Sequence, residues 1–398
     1  MTDCMLRSWC EVSQAALEAN VNVLRRRLSP TAKLGVVVKS NAYGHGILLC
    51  AKVFLNAGVD WLIVNSIDEV ETLREGDVEA PIYLCVQPAP FQADRVVKSG
   101  ARIALCSLEV ATAIAAAAQR QGRVVQCHIK VETGTNRQGV SGDELTDLVR
   151  LVGRLDGLII EGLTTHFADV EDTTDHSFAE GQIKALATAV STVREQGVEV
   201  PMVHAANSAA TLMWPETHLD LVRVGIAAYG LWPSKETYVA ALQRSREVEQ
   251  LCPALSWKAR IAQIKEVPEG GYIGYGRTFR APHSMRIAIV PLGYYEGYDR
   301  RLSNLGHVLV EGVRAPVRGR VCMNMFMIDI THLEAAHLGQ VVTLMGQDRE
   351  EAVSAEMWGD WLGSIHYEVI SRIHTDQVRL LRTSEGALCS LEEWKHDG

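Results

Sequence analysis

Eight short apolar runs, at 34–38, 61–64, 82–86, 102–105, 124–131, 158–163, 202–204 and 221–224, leave this chain few folds to choose from. Their apolar residues do not alternate with polar ones, so each run suits a strand buried on both faces. Most of the gaps between them can hold a helix. At 107–121, Ser107 offers an N-cap, an alanine-rich run follows, and Gly122 supplies a stop. The stretch 184–196 ends at Gly197 in the same way. Eight strand–helix units in roughly 200 residues predict a TIM-like (β/α)8 barrel. A doubly wound open sheet has the same element pattern, and strand counting leaves it open.

The pattern changes after about residue 245. Strands are predicted at 259–267, 286–290, 307–310, 317–320, 325–330 and 340–345, separated by turns such as Glu269-Gly270-Gly271 and Gly312. One helix is predicted near 352–363. The 398 residues thus divide into an α/β barrel at 12–243 and a mostly β C-terminal domain at 244–390, with residues 1–11 packing on the latter.

Composition removes several function classes. Hydrophobic residues are 47% and charged residues 22%, as in a globular protein. Lys+Arg total 39 against Asp+Glu 48, a formal charge of -9 without a basic stripe, which argues against a nucleic-acid partner. No apolar run approaches the ~18 residues of a membrane helix. The start, MTDCMLRSWCEV, lacks an apolar signal core, which predicts a cytoplasmic protein. Nine cysteines (Cys4, Cys10, Cys50, Cys85, Cys106, Cys127, Cys252, Cys322 and Cys389) show no framework and read as reduced, buried thiols. Without C-x-x-C or H-E-x-x-H no metal is expected. Neither a G-x-x-x-x-G-K loop nor a G-x-S-x-G elbow is present.

Chemistry enters at Val36-Val37-Val38-Lys39-Ser40-Asn41-Ala42-Tyr43-Gly44-His45-Gly46. A residue at the C-terminal end of a barrel strand faces the usual active-site side. A partly desolvated lysine there can form a Schiff base with a carbonyl compound. Spacing alone favours a solvated lysine at a strand end.

The stretch V-V-K-S-N-A-Y-G-H-G at 37–46 resembles the pyridoxal-phosphate signature of the alanine racemase family. The resemblance continues in the family's order through 130–139, 163–167, 204–210, 223–230, 274–279, 291–297, 319–329 and 366–369, essentially the whole chain. It implies a (β/α)8 barrel with a C-terminal β domain, pyridoxal 5′-phosphate as cofactor, and a head-to-tail homodimer with active sites at the interface.

The same resemblance assigns residues. Lys39 would carry the cofactor and serve as one acid/base; Tyr275, reaching into the partner subunit's site, would be the other. Two groups flanking a planar carbanion can remove a proton from one face and return one to the opposite face. A tyrosine, pKa near ~10, needs a nearby cation or donor to act as a base, and His166 matches the family's histidine beside it. Arg223 matches an arginine facing the pyridine nitrogen, with His204 behind it. Arginine presents only donors, so it disfavours protonation of that nitrogen and argues against decarboxylation. Asn207 and Ser208, the amides of Gly225 and Ile226, and the hydroxyls of Tyr43 and Tyr367 match phosphate partners. Arg137 matches an arginine that contacts the cofactor's phenolic oxygen and the substrate carboxylate, the Met323 amide a second contact to that carboxylate, and Lys130 a lysine carried as a carbamate. Glu171, Tyr294, Arg300, Arg320, Ile365 and Tyr367 match the substrate corridor.

Three departures stand out: Asn324 where the family usually has aspartate, Glu171 where aspartate is common, and IHTDQVRLL at 373–381 in place of a basic, proline-containing final strand. The expected activity is interconversion of L- and D-alanine for peptidoglycan. The competing readings are a racemase of serine or a broader set of amino acids, and a non-catalytic pyridoxal-phosphate-binding protein.

Overall fold

The computed structural model describes residues 6–244, 248 and 250–394. Residues 1–5 of the predicted signal-free start, Cys4 among them, and positions 245–247 and 249 beside the predicted domain boundary lie outside the described residues. The described residues form two compact units, one from those within 16–42 and 50–252, the other from those within 6–15, 43–49 and 253–394.

After an opening strand β1 (Ser8–Ser13), the first unit holds eight parallel strands: β2 (Lys33–Val37), β3 (Trp61–Val64), β4 (Ile82–Leu84), β5 (Arg102–Leu105), β6 (Val125–Lys130), β7 (Leu158–Thr164), β8 (Met202–His204) and β9 (Leu221–Val224). They pair in chain order from β2 to β8, and β9 returns to β2 with Leu34 opposite Val222. Asp220 N donates to Val203 O and Arg223 N to Ala206 O, which closes the circle between β8 and β9. The open-sheet alternative is thereby excluded, since its two edge strands would not meet. Alanine-rich helix Leu108–Gln121 has Ser107 as N-cap, its hydroxyl accepting from Val110 N, and Gly122 in the left-handed conformation as stop. The helix expected at 184–196 begins earlier, at Ser177.

The barrel is tight. A Cβ on Gly35 would lie 2.8 Å from Ile63 Cδ1 and 3.0 Å from Val222 O. The β6–β7 pairing skips one residue: Cys127 pairs with Ile160 and His128 with Gly162, leaving Glu161 as the extra residue of a bulge. Bulges re-aim side chains, and this one places Glu161 against His128.

The second unit is mostly β. Its largest sheet joins β1 to β10 (Leu255–Arg260), antiparallel with Cys10 opposite Trp257, and to the parallel strand β20 (Val378–Arg382). Beyond β10 the sheet continues through β18 (Val341–Asp348) to β15 (His307–Val310) and β16 (Val313–Pro316), with β19 (Glu351–Val353) on β18 and β21 (Leu388–Cys389) on β20. A three-stranded sheet holds β11 (Gln263–Val267), β14 (Met285–Val290) and β17 (Phe326–Asp329), and a hairpin pairs β12 (Tyr272–Ile273) with β13 (Phe279–Arg280). Two expectations need correction. The run 259–267 is two strands in different sheets, β10 and β11, and 317–320 is not a strand. Gly319, at φ +78°, bends the chain there, and its Cβ would meet Ile273 O at 2.5 Å. The eight described cysteines are all free, but only Cys10, Cys50 and Cys127 are fully buried; Cys85 and Cys106, just past their strand ends, are partly exposed.

Candidate active site

Strand β2 ends one residue before Val38, and Lys39 follows at the C-terminal rim, partly exposed. The chain then makes a left-handed turn: Ser40, Asn41 and Ala42 have φ of 53°, 55° and 53°, and Tyr43 follows at 52°. Each such L-residue costs about 1–2 kcal/mol. Among the bonds that hold the turn are Ala42 N to Val38 O at 2.8 Å and Ser40 N to Glu69 Oε1 at 2.6 Å. Glu69 is itself fixed, because its other oxygen accepts from Asn65 N and Ser66 N in the capping box of helix Ile67–Glu75.

Arg223, on β9, is buried, with both of its terminal nitrogens engaged by the protein. Its Nη1 donates to His204 Nδ1 at 2.6 Å and to Thr164 Oγ1 at 3.1 Å; its Nη2 donates to Thr165 O at 2.7 Å and Ala205 O at 3.0 Å. His166 Nδ1 lies 3.5 Å from the same Nη2. A guanidinium has five N–H groups. Four are thus used by the protein, and the Nε–H has no partner among the described residues. Burial, then the charges of Arg223, Arg137, Lys130 and Lys39, hold His166 well below the usual imidazole range, so it is neutral.

Beside Arg223 stands an amide turn. Asn207 caps the short helix Ser208–Met213, its Oδ1 accepting from Ala210 N at 3.0 Å while its Nδ2 donates to Glu171 Oε1 at 2.9 Å. Ser208, 3% exposed, accepts from Gly225 N at 2.9 Å and Ala227 N at 3.4 Å, bringing that hydroxyl to the turn that contains Ile226. Burial, with Asp172 nearby, pushes the Glu171 carboxyl up to about 7.

Lys130, Arg137 and His166 line one small cleft with Glu132, Thr135 and Gln138. Lys130 is buried, and burial together with Arg223 lowers its amine. Glu132 is engaged by the backbone of the same loop, its carboxylate accepting from Gly134 N at 2.6 Å.

The second unit carries the remaining candidates. Tyr275 sits on the β12–β13 hairpin, 72% exposed, between Gly274 and Gly276, both at positive φ. The hairpin rests on a core of Ile273, Ala281, Met285 and Ile287. A Cβ on Gly276 would come 3.1 Å from Arg320 Cζ, so the glycine lets Arg320 approach the tyrosine's loop. Arg320 is held from both sides, by Gly319 N to Asn304 Oδ1 and Val321 N to Ser303 Oγ, in the segment that follows Arg300. Backbone bonds from Tyr294 N to Cys322 O and Tyr295 N to Met323 O tie the loop of Tyr294 to that of Met323. Tyr275, Tyr294, Tyr295, Met323 and Met325 are all exposed on these neighbouring loops. Tyr43 and Tyr367 lie with ring centroids 6.1 Å apart, and Ile365 is exposed at the start of the helix that bears Tyr367.

Asn324 is not idle. Its Nδ2 donates to Glu296 Oε1 at 2.8 Å, and Glu296 Oε2 accepts from Gly293 N at 2.7 Å. Glu296 was missed by sequence reasoning, as were His128, Glu161 and Arg102, which lead away from His204. A histidine within an apolar strand, and Glu-Gly just before 163–167, were the signals available.

An amine and an amide-lined turn at the C-terminal rim of a closed (β/α)8 barrel define an enzyme of the barrel class. Models of the alanine racemase N-terminal and C-terminal domains match residues 12–233 and 254–381. Alanine racemase of Leptospira interrogans serovar Lai is 37% identical over 376 residues, covering 94% of this chain and 95% of that one. Alanine racemase of Clostridium difficile 630 superposes with a TM-score of 0.91 at 29% identity, over 97% of this chain and 98% of that one. The Bartonella henselae alanine racemase, which carries covalently bound pyridoxal phosphate, gives 0.80 at 25% identity, over 94% and 99%. The chain belongs to the alanine racemase family, and it is an enzyme of that family. Among its described residues, no helix is long and apolar enough to cross a membrane.

Proposed function

We propose that this enzyme interconverts L- and D-alanine with pyridoxal 5′-phosphate, in a barrel spanning 12–243 and a β domain spanning 244–390. The observation that carries the reading is Arg223, buried, donor-only, and with its Nε–H left over after four bonds to protein. The donor set fits the cofactor: an amine at Lys39, a hydroxyl and amides at Ser208, Gly225 and Ile226 for a phosphate, and a guanidinium for a ring nitrogen. When bound, the cofactor supplies an aldehyde for an amine and a conjugated ring that delocalises the Cα electron pair. Lys39 holds or moves a proton at one face of Cα, and Tyr275 of the partner subunit at the other. Arg223 withholds a proton from the ring nitrogen, which favours reprotonation at Cα over other fates. Neutral His166 faces Arg223 with an accepting Nδ1 and carries its proton on Nε2, which leaves a donor for the tyrosine. Asn207, Tyr43 and Tyr367 complete the phosphate's surroundings.

Lys130 and Arg137 share a cleft with Glu132, whose carboxylate accepts from Gly134 N. A carbamate on Lys130, formed by its lowered amine and CO2, would supply a further anion and hold Arg137 for the substrate carboxylate, together with the Met323 amide. Glu171, Tyr294, Arg300, Arg320 and Ile365 would line the approach. The exposed Tyr275, Tyr294, Tyr295, Met323 and Met325 support a homodimer that covers them. The product serves peptidoglycan synthesis in the cytoplasm.

The test is a chiral assay of cofactor-loaded protein offered L-alanine and L-serine separately. Faster racemisation of alanine supports the reading; serine turned over as fast would move the specificity, and conversion of neither would refute it.

A further inference from the structure

Among the described residues Arg223 has no carboxylate partner, yet one lies two side chains away. His204 Nε2 is 2.7 Å from His128 Nδ1, and His128 Nε2 is 2.9 Å from Glu161 Oε2, which also accepts from Arg102 Nε at 2.9 Å. Both histidines are wholly buried. The ring of Tyr83 packs on both, at centroid distances of 5.0 and 5.4 Å, and Trp61 closes on His128 at 5.7 Å. Gly162 makes the approach possible, since a Cβ there would stand 2.8 Å from His128 Nδ1.

The chemistry of the two ends orders every proton between them. Arg223 can only donate, so His204 Nδ1 must accept. Thr164 Oγ1, 3.1 Å away, can donate to the same nitrogen. A neutral His204 then carries its proton on Nε2 and donates to His128 Nδ1. His128 in turn carries its proton on Nε2 and donates to Glu161, whose carboxylate only accepts. Burial lowers both imidazoles, which keeps them neutral. The reverse tautomer of His204 would set an N–H against the Arg223 N–H at 2.6 Å.

We propose that His128 and Glu161 are positioning residues: through this one-directional chain they lock His204 in the tautomer that accepts from Arg223, and so fix the guanidinium for the reaction. The effect on turnover rests on the role given to Arg223 above, whereas the lock rests on the protein alone.

The test uses 15N spectra of histidine-labelled protein without added cofactor, assigned by the signals lost in His204→Gln. Wild-type protein should show pyrrole-type Nε2 and pyridine-type Nδ1 in both rings. His128→Leu strands the His204 Nε2–H, so the single tautomer should be lost; kcat should fall roughly tenfold with KM for alanine within about twofold. His128→Gln keeps an acceptor and a donor on one side chain, and should restore both the tautomer and most of kcat. A general packing defect would not follow this order. An Nδ1–H in either wild-type ring, an unchanged His204 tautomer in His128→Leu, or an intact kcat in that variant would overturn the proposal. Wild-type protein with the expected tautomers that racemises nothing would support the lock and refute only the functional reading.

Discussion

Replacing Asn324 by aspartate restores the residue usual in alanine racemases, and the structure says it should harm this one. The amide donates to Glu296 Oε1 at 2.8 Å, and Glu296 also holds Gly293 N, so a single carboxylate ties two loops together. A hydrogen bond to a charged group contributes about 1.5–3 kcal/mol. Two carboxylates at that separation repel by about 1.5 kcal/mol even at the dielectric constant of water. Asn324 is exposed, so side-chain rotation and salt relieve part of this. About 1.5–2 kcal/mol should still reach the Met323 loop, a roughly 10- to 30-fold rise in KM for alanine with kcat changed less than about threefold. The deficit should shrink as pH falls, because one shared proton restores a donor between the oxygens. Adding Glu296→Gln to Asn324→Asp supplies an amide donor from the other side and should recover most of the loss. Steady-state kinetics of the two single variants and the double variant decide the matter. A KM unchanged within about twofold, or a rise that the second substitution fails to reverse, would refute the reasoning.

Other outcomes follow from the same geometry. Gly162→Ala would put a Cβ 2.5 Å from Met202 O, a backbone atom that cannot swing away. It should cost about 3 kcal/mol and lower Tm by roughly 6–12 °C, whereas Gly181→Ala, with nothing within 4 Å in helix Ser177–Glu195, should stabilise by about 1 kcal/mol in the same thermal melts. Glu171 has its carboxyl raised from 4.5 to about 7 in the folded state, so the native protein binds more protons and loses stability as pH rises through that window. Glu171→Gln should flatten this slope, worth up to about 3 kcal/mol, in urea midpoints measured against pH; an unaltered slope would assign the titration elsewhere. Tyr275→Phe should keep cofactor absorbance and lose about 10²–10⁴-fold in racemisation by chiral assay; unchanged turnover would remove the tyrosine from the chemistry.

The barrel was legible because burial on both faces makes each strand a continuous apolar run, a signal independent of tertiary detail. The β-rich region was legible in kind but not in register. Nothing local distinguishes 317–320, bent by Gly319 against Ile273 O, from the true strand Val313–Pro316. Lys39 and Arg223 could be found because motif and strand end coincide. The chain from His204 to Glu161 could not, since it depends on a bulge that shifts β7 by one residue, and alternation does not report bulges. Asn324 looked like a lost charge. Beside Glu296 it is a gained donor, and that pairing joins residues 28 apart in the chain.

The left-handed turn after Lys39 bears on the order of folding. Four consecutive L-residues do not wind this way on their own, and an anchor outside the turn is Glu69, whose helix must form before it can hold Ser40 N. Its contacts therefore belong to the late side of the folding transition state, where substitutions change the unfolding rate and leave the folding rate alone. The amide of Ser40 should exchange with deuterium through a small local opening long before the strands on either side. Lys39 owes its position to torsions that the barrel settles last.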